Sequence, residues 1–150
     1  MITAQPRQGL LDTSAVMVLT RLTDPMALPE EPLISTVTLA ELSVGPLVAA
    51  TEAEQAARQA HVQQAEVDFD PLPFDVSAAR AFGRVAASLR RAGRKPTART
   101  FDAMIAAVAV ANELPLYTCN YTCNAEDFAG VDDIDVIAVP HPDNVPEQRA

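Results

Sequence analysis

Short apolar runs alternate along this chain with longer segments of helical character, and strands spaced that way have to pair mostly in parallel. Gly9 to Asp12 reads as a buried strand, Leu33 to Thr36 as a second, Leu114 to Thr118 as a third and Ile134 to Val139 as the last. Parallel neighbours need a crossover long enough to hold a helix, not a tight turn. The segments between supply such crossovers. From Thr13 to about Thr23, Val16, Leu19 and Leu22 recur at helical spacing. Thr38-Leu39-Ala40-Glu41 has the form of a capping box, which predicts a helix starting at Thr38 and ending near Gly45-Pro46. Thr51 to Val67 is Ala- and Gln-rich and helical by propensity. Pro71 to Phe74 is at best an edge strand. Asp75 caps a helix that Gly93 ends, and its apolar stripe is Ala78, Phe82, Val85 and Leu89. Thr100 caps a helix over Phe101 to about Asn112. From Met104 to Ala111 that helix is apolar on every side, which places it in the core. The expected fold class is α/β, a mostly parallel central sheet flanked by helices on both faces, in other words an α/β/α sandwich. Residues 1–139 form the expected single domain and 140–150 a polar C-terminal tail.

A chain of 150 residues can bury one sizeable core. No apolar run approaches the ~20 residues that a membrane-spanning helix needs, and Met1 to Gly9 lacks the apolar stretch of a secretory signal. Two cysteines, Cys119 and Cys123, are too few for a disulfide framework and fit a reducing cytoplasm. The net charge of −9 argues against bulk, nonspecific binding to nucleic acid. The basic residues are nevertheless concentrated: Arg80, Arg84, Arg90, Arg91, Arg94, Lys95 and Arg99 lie close together in sequence, just before Asp102. A solvated helix face explains such an island most simply. A contact for RNA or for a protein partner, involving Arg80, Arg84, Arg91, Arg94, Lys95 and Arg99, is the functional alternative.

Three acids share one structural context. Asp12 ends the first strand, Glu41 follows the second, and Asp102 opens the helix leading into the third. In an open parallel sheet all three positions fall at the carboxyl edge of the strands, where such folds bind their ligands. Each acid has a plain explanation alone: Asp12 as a helix cap, Glu41 as a capping-box partner, Asp102 as a favourable charge in a first turn. Carboxylates converging in one cleft, however, repel each other, and a divalent cation removes the repulsion. Oxygen donors without His or Cys select Mg²⁺ or Mn²⁺. His61 and His141 read as surface histidines, Cys119 and Cys123 lack partner ligands for a metal, and no glycine-rich phosphate loop occurs.

Five segments carry a specific resemblance: Leu11-Asp12-Thr13-Ser14-Ala15, Thr38-Leu39-Ala40-Glu41-Leu42, Thr100-Phe101-Asp102-Ala103-Met104-Ile105-Ala106, Leu116-Tyr117-Thr118 and Glu126-Asp127-Phe128. In this order and spacing the chain resembles a PIN domain, most closely the VapC-type ribonuclease toxins of bacterial toxin–antitoxin modules. The resemblance implies a PIN-like fold and Mg²⁺- or Mn²⁺-dependent cleavage of RNA, often tRNA or ribosomal RNA, which inhibits translation. It also implies a homodimer and a protein antitoxin that blocks the site. Asp12, Glu41 and Asp102 take the family's acidic metal positions, with Thr13 or Ser14 supporting them by hydrogen bonding.

One departure concerns the fourth acid. Tyr117-Thr118-Cys119-Asn120 is followed at once by Tyr121-Thr122-Cys123-Asn124, as if four residues were duplicated. Asn120 or Asn124 can hold the strand-end position, and Asp127 is the expected fourth acid. The duplication leaves open a second class of function, a catalytically impaired PIN-like module that keeps only partner binding. A phosphate-handling enzyme of the haloacid dehalogenase type also places an Asp after its first strand. It wants a second acid two residues on, where this chain has Ser14.

Overall fold

The computed structural model describes residues 5–93, 99–119, 128 and 134–144. In chain order the elements are β1 (Gln8–Leu11), α1 (Thr13–Val18), β2 (Glu31–Leu33), α2 (Thr36–Val44), α3 (Glu52–Asp68), α4 (Val76–Arg91), α5 (Thr100–Ala111), β3 (Leu116–Thr118) and β4 (Val136–Ala138), with short 3-10 turns between and after them. The strands form one sheet in the order β2-β1-β3-β4, and every pairing is parallel. All four carboxyl ends therefore share one edge.

The layering follows from the two-residue period of a strand. Leu10 pairs with Leu116, and both join the core made with Ala81, Val85 and Leu89 of α4 and the buried residues of α5. Leu11 pairs with Tyr117, and both join the opposite core with Ala15 and Val16 of α1, Leu42 of α2, and Val62 and Ala65 of α3. The central strands are thus apolar on both faces, as parallel strands covered by helices must be. Gly9 is required by this packing: a Cβ there would lie 2.4 Å from Cε2 of Tyr117.

Several sequence expectations hold closely. Asp75 caps α4 by accepting from the Ala78 amide at 3.0 Å, and Gly93 ends that helix at φ +77°. Helix α5 is buried from Ile105 to Ala109, so its all-round apolarity does mark a core helix. Thr51 caps α3 through the Glu54 amide, and Leu72 reaches the sheet region only by an isolated bridge to Ser35. Among the described residues no helix is long and apolar enough to cross a membrane.

The start of α2 differs from expectation. Strand β2 stops at Leu33, the cap is Ser35, and its hydroxyl accepts from the Thr38 amide at 3.2 Å. Thr38 therefore lies inside the helix and the Thr38–Glu41 capping box does not form. The reason is tertiary. The backbone around Ser35 is held extended by hydrogen bonds from the Leu72 amide to Ile34 O and from the Thr36 amide to Leu72 O, each 2.9 Å. Helix α5 likewise begins one residue early: Thr100 is its first residue and Arg99 its N-cap position.

Candidate active site

The carboxyl edge of β1 and β3 is built around Asp12. The Asp12 amide donates to Tyr117 O at 2.9 Å, which carries the β1–β3 ladder one step past the last strand residue. Asp12 keeps extended backbone angles and caps α1, its Oδ1 accepting from the Ala15 amide at 2.9 Å and from Ser14 Oγ at 2.6 Å. Its residue is only 2% exposed. A carboxylate that deep in a protein must be hydrogen-bonded to stay there.

Ser14 does two tasks with one oxygen. It donates to Asp12 and accepts from the Cys119 amide at 3.0 Å, and it lies 3.4 Å from Thr118 Oγ1. The end of β3 is thereby fastened to the acid at the end of β1. Thr13 makes the matching link on the other side. Its hydroxyl donates to Glu41 Oε1 at 2.7 Å and lies 3.2 Å from Thr38 Oγ1. Glu41 projects from the second turn of α2, where the missing capping box leaves its carboxylate to Thr13.

Asp102 is the third residue of α5 and half-buried. Helix α5 feeds β3, so its first turn lies toward the carboxyl edge of the sheet, and its positive dipole end favours an acid there. Burial first, and the charge of Asp12 second, push the Cys119 thiol above its ordinary pKa. It stays protonated at neutral pH and is a poor metal ligand, since the thiolate is the form that binds.

The structure thus joins Asp12, Thr13, Ser14 and Glu41 in one pair of hydrogen-bonded links. Among the described residues, no three acid, imidazole or thiol side chains come close enough together to hold an ion. Asn120, Asn124, Asp127, Arg94 and Lys95 lie outside the described residues, as does Cys123. Arg80, Arg84 and Arg91 are exposed on α4, and Arg91 donates to Ser88 Oγ at 3.0 Å. Two fully buried hydroxyl residues, Thr38 and Thr118, belong to the site without having been expected there. The capping-box pattern hid Thr38. Thr118 stands at a strand end, in a segment that carries the family resemblance but to which no role was attached.

Comparison with known proteins places this parallel α/β chain in a family. Residues 10–125 fit the PIN domain model, and the chain belongs to the PIN domain family. Within that family its likeness is to VapC proteins. It is 38% identical over 129 residues to Ribonuclease VapC5 of Mycobacterium tuberculosis, covering 85% of this chain and 90% of that protein. It is 33% identical over 106 residues to Ribonuclease VapC4 of the same organism, covering 71% of this chain and 75% of the relative. The crystal structure of VapBC-5 from Mycobacterium tuberculosis, a member of the VapBC family of toxin–antitoxin systems, aligns with a TM-score of 0.76 at 34% identity over 89% of this chain and 100% of that one.

Proposed function

We propose that this chain is a VapC-type endoribonuclease that uses Mg²⁺ or Mn²⁺ and is the toxin of a toxin–antitoxin pair. The observation that carries the proposal is the buried Asp12 carboxylate, braced by Ser14 and the Ala15 amide, beside the Thr13–Glu41 link. The 38% identity to a protein named a ribonuclease, over 90% of its length, supports the chemistry. A structural neighbour described as a toxin–antitoxin complex supports a protein antitoxin as partner.

The donors fit a hard divalent cation. They are carboxylate and hydroxyl oxygens, and the nearby Cys119 sulfur is held as a thiol. Asp12 and Asp102 would hold the ion, with Glu41 and Asp127 as further acids. When bound, it supplies Lewis-acid activation of water and neutralises charge on the scissile phosphate. Ser14 fixes the rotamer of Asp12, and Thr13 fixes that of Glu41. Glu41 orients the attacking water or accepts its proton. Arg80, Arg84, Arg91, Arg94, Lys95 and Arg99 offer positive charge to the RNA backbone or to the antitoxin. Arg91 lines a cavity with Thr100 at the start of α5, whereas Arg84 lines one with Glu113, Pro115 and Asp135 at the amino ends of β3 and β4, away from Asp12. We assign tRNA or ribosomal RNA as substrate, translation as the process stopped, a cytoplasmic location, and a homodimer as the working form.

The test is cleavage of tRNA and ribosomal RNA by purified protein with Mn²⁺ and with a chelator. The wild type should cut only with the metal. Asp12→Asn should not cut at all yet stay folded, because Asn caps a helix about as well as Asp. Wild-type cleavage by Asp102→Asn would overturn the assignment of Asp102 to the ion. The repeated Tyr-Thr-Cys-Asn tetrad just ahead of Asp127 favours one second reading, an impaired module that binds its partner without cutting RNA. A wild-type protein that co-purifies with a partner and leaves every RNA intact in Mn²⁺ would establish it.

A further inference from the structure

A cavity of about 370 Å³ opens beside Asp12, lined by Ser14, Met17, Val18, Cys119 and His141. We propose that it receives the nucleobase of the nucleotide flanking the phosphate that is cut, so that Met17 and His141 set sequence preference. This rests on the ribonuclease reading above.

Position is the first argument. Ser14 lines the cavity and its hydroxyl is bonded to Asp12 Oδ1 at 2.6 Å, so the cavity wall is one side chain away from the acid that would hold the ion. A nucleotide joins its base to its phosphate through a single sugar. A base flanking a phosphate at Asp12 therefore falls into an immediately adjacent pocket.

The lining is the second argument. Among the described residues no Lys, Arg, Asp or Glu lines this cavity. The walls are a thioether, a branched aliphatic, a protonated thiol, a hydroxyl and an imidazole. That set offers polarisable surface to the face of a base and hydrogen bonding to its edge, which is how unpaired RNA bases are bound. Met17 is 55% exposed, a large apolar side chain left uncovered at the cleft. The volume is near the lower end of the roughly 300–1,000 Å³ usual for small-ligand pockets, enough for one base.

His141 is also preorganised. His141 Nδ1 accepts from the Asp143 amide at 3.2 Å, so the neutral ring carries its proton on Nε2, as a donor. Asp143 is in turn ion-paired with Arg21, in the 3-10 turn that follows α1. The turn bearing His141 is thus tied to the segment that carries Met17. A ring held in place loses little freedom when a base stacks on it.

The experiment uses the full chain with Mn²⁺ and an RNA library randomised around the cut site. The best-cut RNA is then compared with the same RNA made abasic at the flanking nucleotide. For the wild type, kcat/KM should fall about 10-fold on removing the base, the order expected for one base stacked on a ring. In the Met17→Ala, His141→Ala double variant the two RNAs should be cut within about twofold of each other, with the abasic RNA cut as fast as by the wild type. His141→Phe, which keeps a ring but no N–H, should restore most of the discrimination. Undiminished base preference in the double variant, with Mn²⁺-dependent cleavage intact, overturns the base pocket and leaves the nuclease standing. Equal loss of cleavage on both RNAs also overturns it, since that is a structural effect. A wild type that cuts no RNA in Mn²⁺ brings down both readings.

Discussion

Replacing Ser14 with Ala removes one oxygen and two interactions. The first is a 2.6 Å bond to the carboxylate of Asp12, and the second is the acceptor of the Cys119 amide at 3.0 Å. A hydrogen bond to a charged group is worth about 1.5–3 kcal/mol, and a stranded buried amide costs about 1–3 kcal/mol. Ser14 and Cys119 are half-buried, so water partly replaces the second bond and the lower part of that range applies. The expected loss is about 2–4 kcal/mol, a large share of the ~5–15 kcal/mol that holds a typical domain. In a chain of this size it lowers Tm by roughly 4–16 °C. Urea denaturation followed by circular dichroism gives the free energy, and a thermal melt gives Tm. Ser14→Thr, which keeps the hydroxyl, should recover most of the loss. The double variant with Asp12→Asn separates the two bonds, because the charge-assisted part should appear as a coupling of about 1 kcal/mol or more. A Ser14→Ala protein within about 0.5 kcal/mol of wild type would refute the claim that this hydroxyl fastens β3 to β1, since that is the scatter of an ordinary surface change.

Three further outcomes are expected. Gly9→Ala drives a Cβ to 2.4 Å from Cε2 and 2.8 Å from Cδ2 of Tyr117. It should cost about 1–3 kcal/mol by overpacking, read from the urea midpoint. The Cys119 thiol, raised by burial and then by Asp12, should alkylate slowly at neutral pH and faster as pH rises. Asp12→Asn removes the charge that favours the protonated form, so the alkylation profile should move to lower pH. Mass spectrometry of the labelled peptide reads the shift, and an unmoved profile would mean burial acts alone. Arg84→Ala with Arg91→Ala should make RNA affinity less steeply dependent on salt, by about one unit of slope for each phosphate that is no longer neutralised. An unchanged slope assigns that face of α4 to solvent or to the antitoxin.

Much of the architecture is local in origin. The strand–helix alternation, Asp75 and Gly93 at the ends of α4, and the all-apolar α5 were legible because each depends on residues within one or two turns. So was Asp12 as the acid that closes the first strand. Where α2 starts could not be read the same way. The local pattern favours Thr38-x-x-Glu41, since Ser35 has Thr38 and not Glu or Gln three residues on. The choice was made by Leu72, far along the chain, whose hydrogen bonds with Ile34 and Thr36 hold the Ser35 backbone extended and so start the helix there.

That one displacement decides the site, since Thr38 is buried within the helix and Glu41 meets Thr13 instead of its own helix terminus. The double use of Ser14 is equally nonlocal. It exists because β1 and β3 pair in the register Leu11 to Tyr117, which sets the Cys119 amide beside the first turn of α1. His141 is similar: a residue that reads as part of a polar tail lines a cavity beside Asp12 because β4 lies next to β3. The amino-acid order determined which segments are strands and helices and where the acids sit along them, since dihedral preference and apolar period act over a few residues. Strand register and long-range backbone bonds alone decided which oxygens touch, because residues up to more than a hundred positions apart become neighbours only once the sheet has closed.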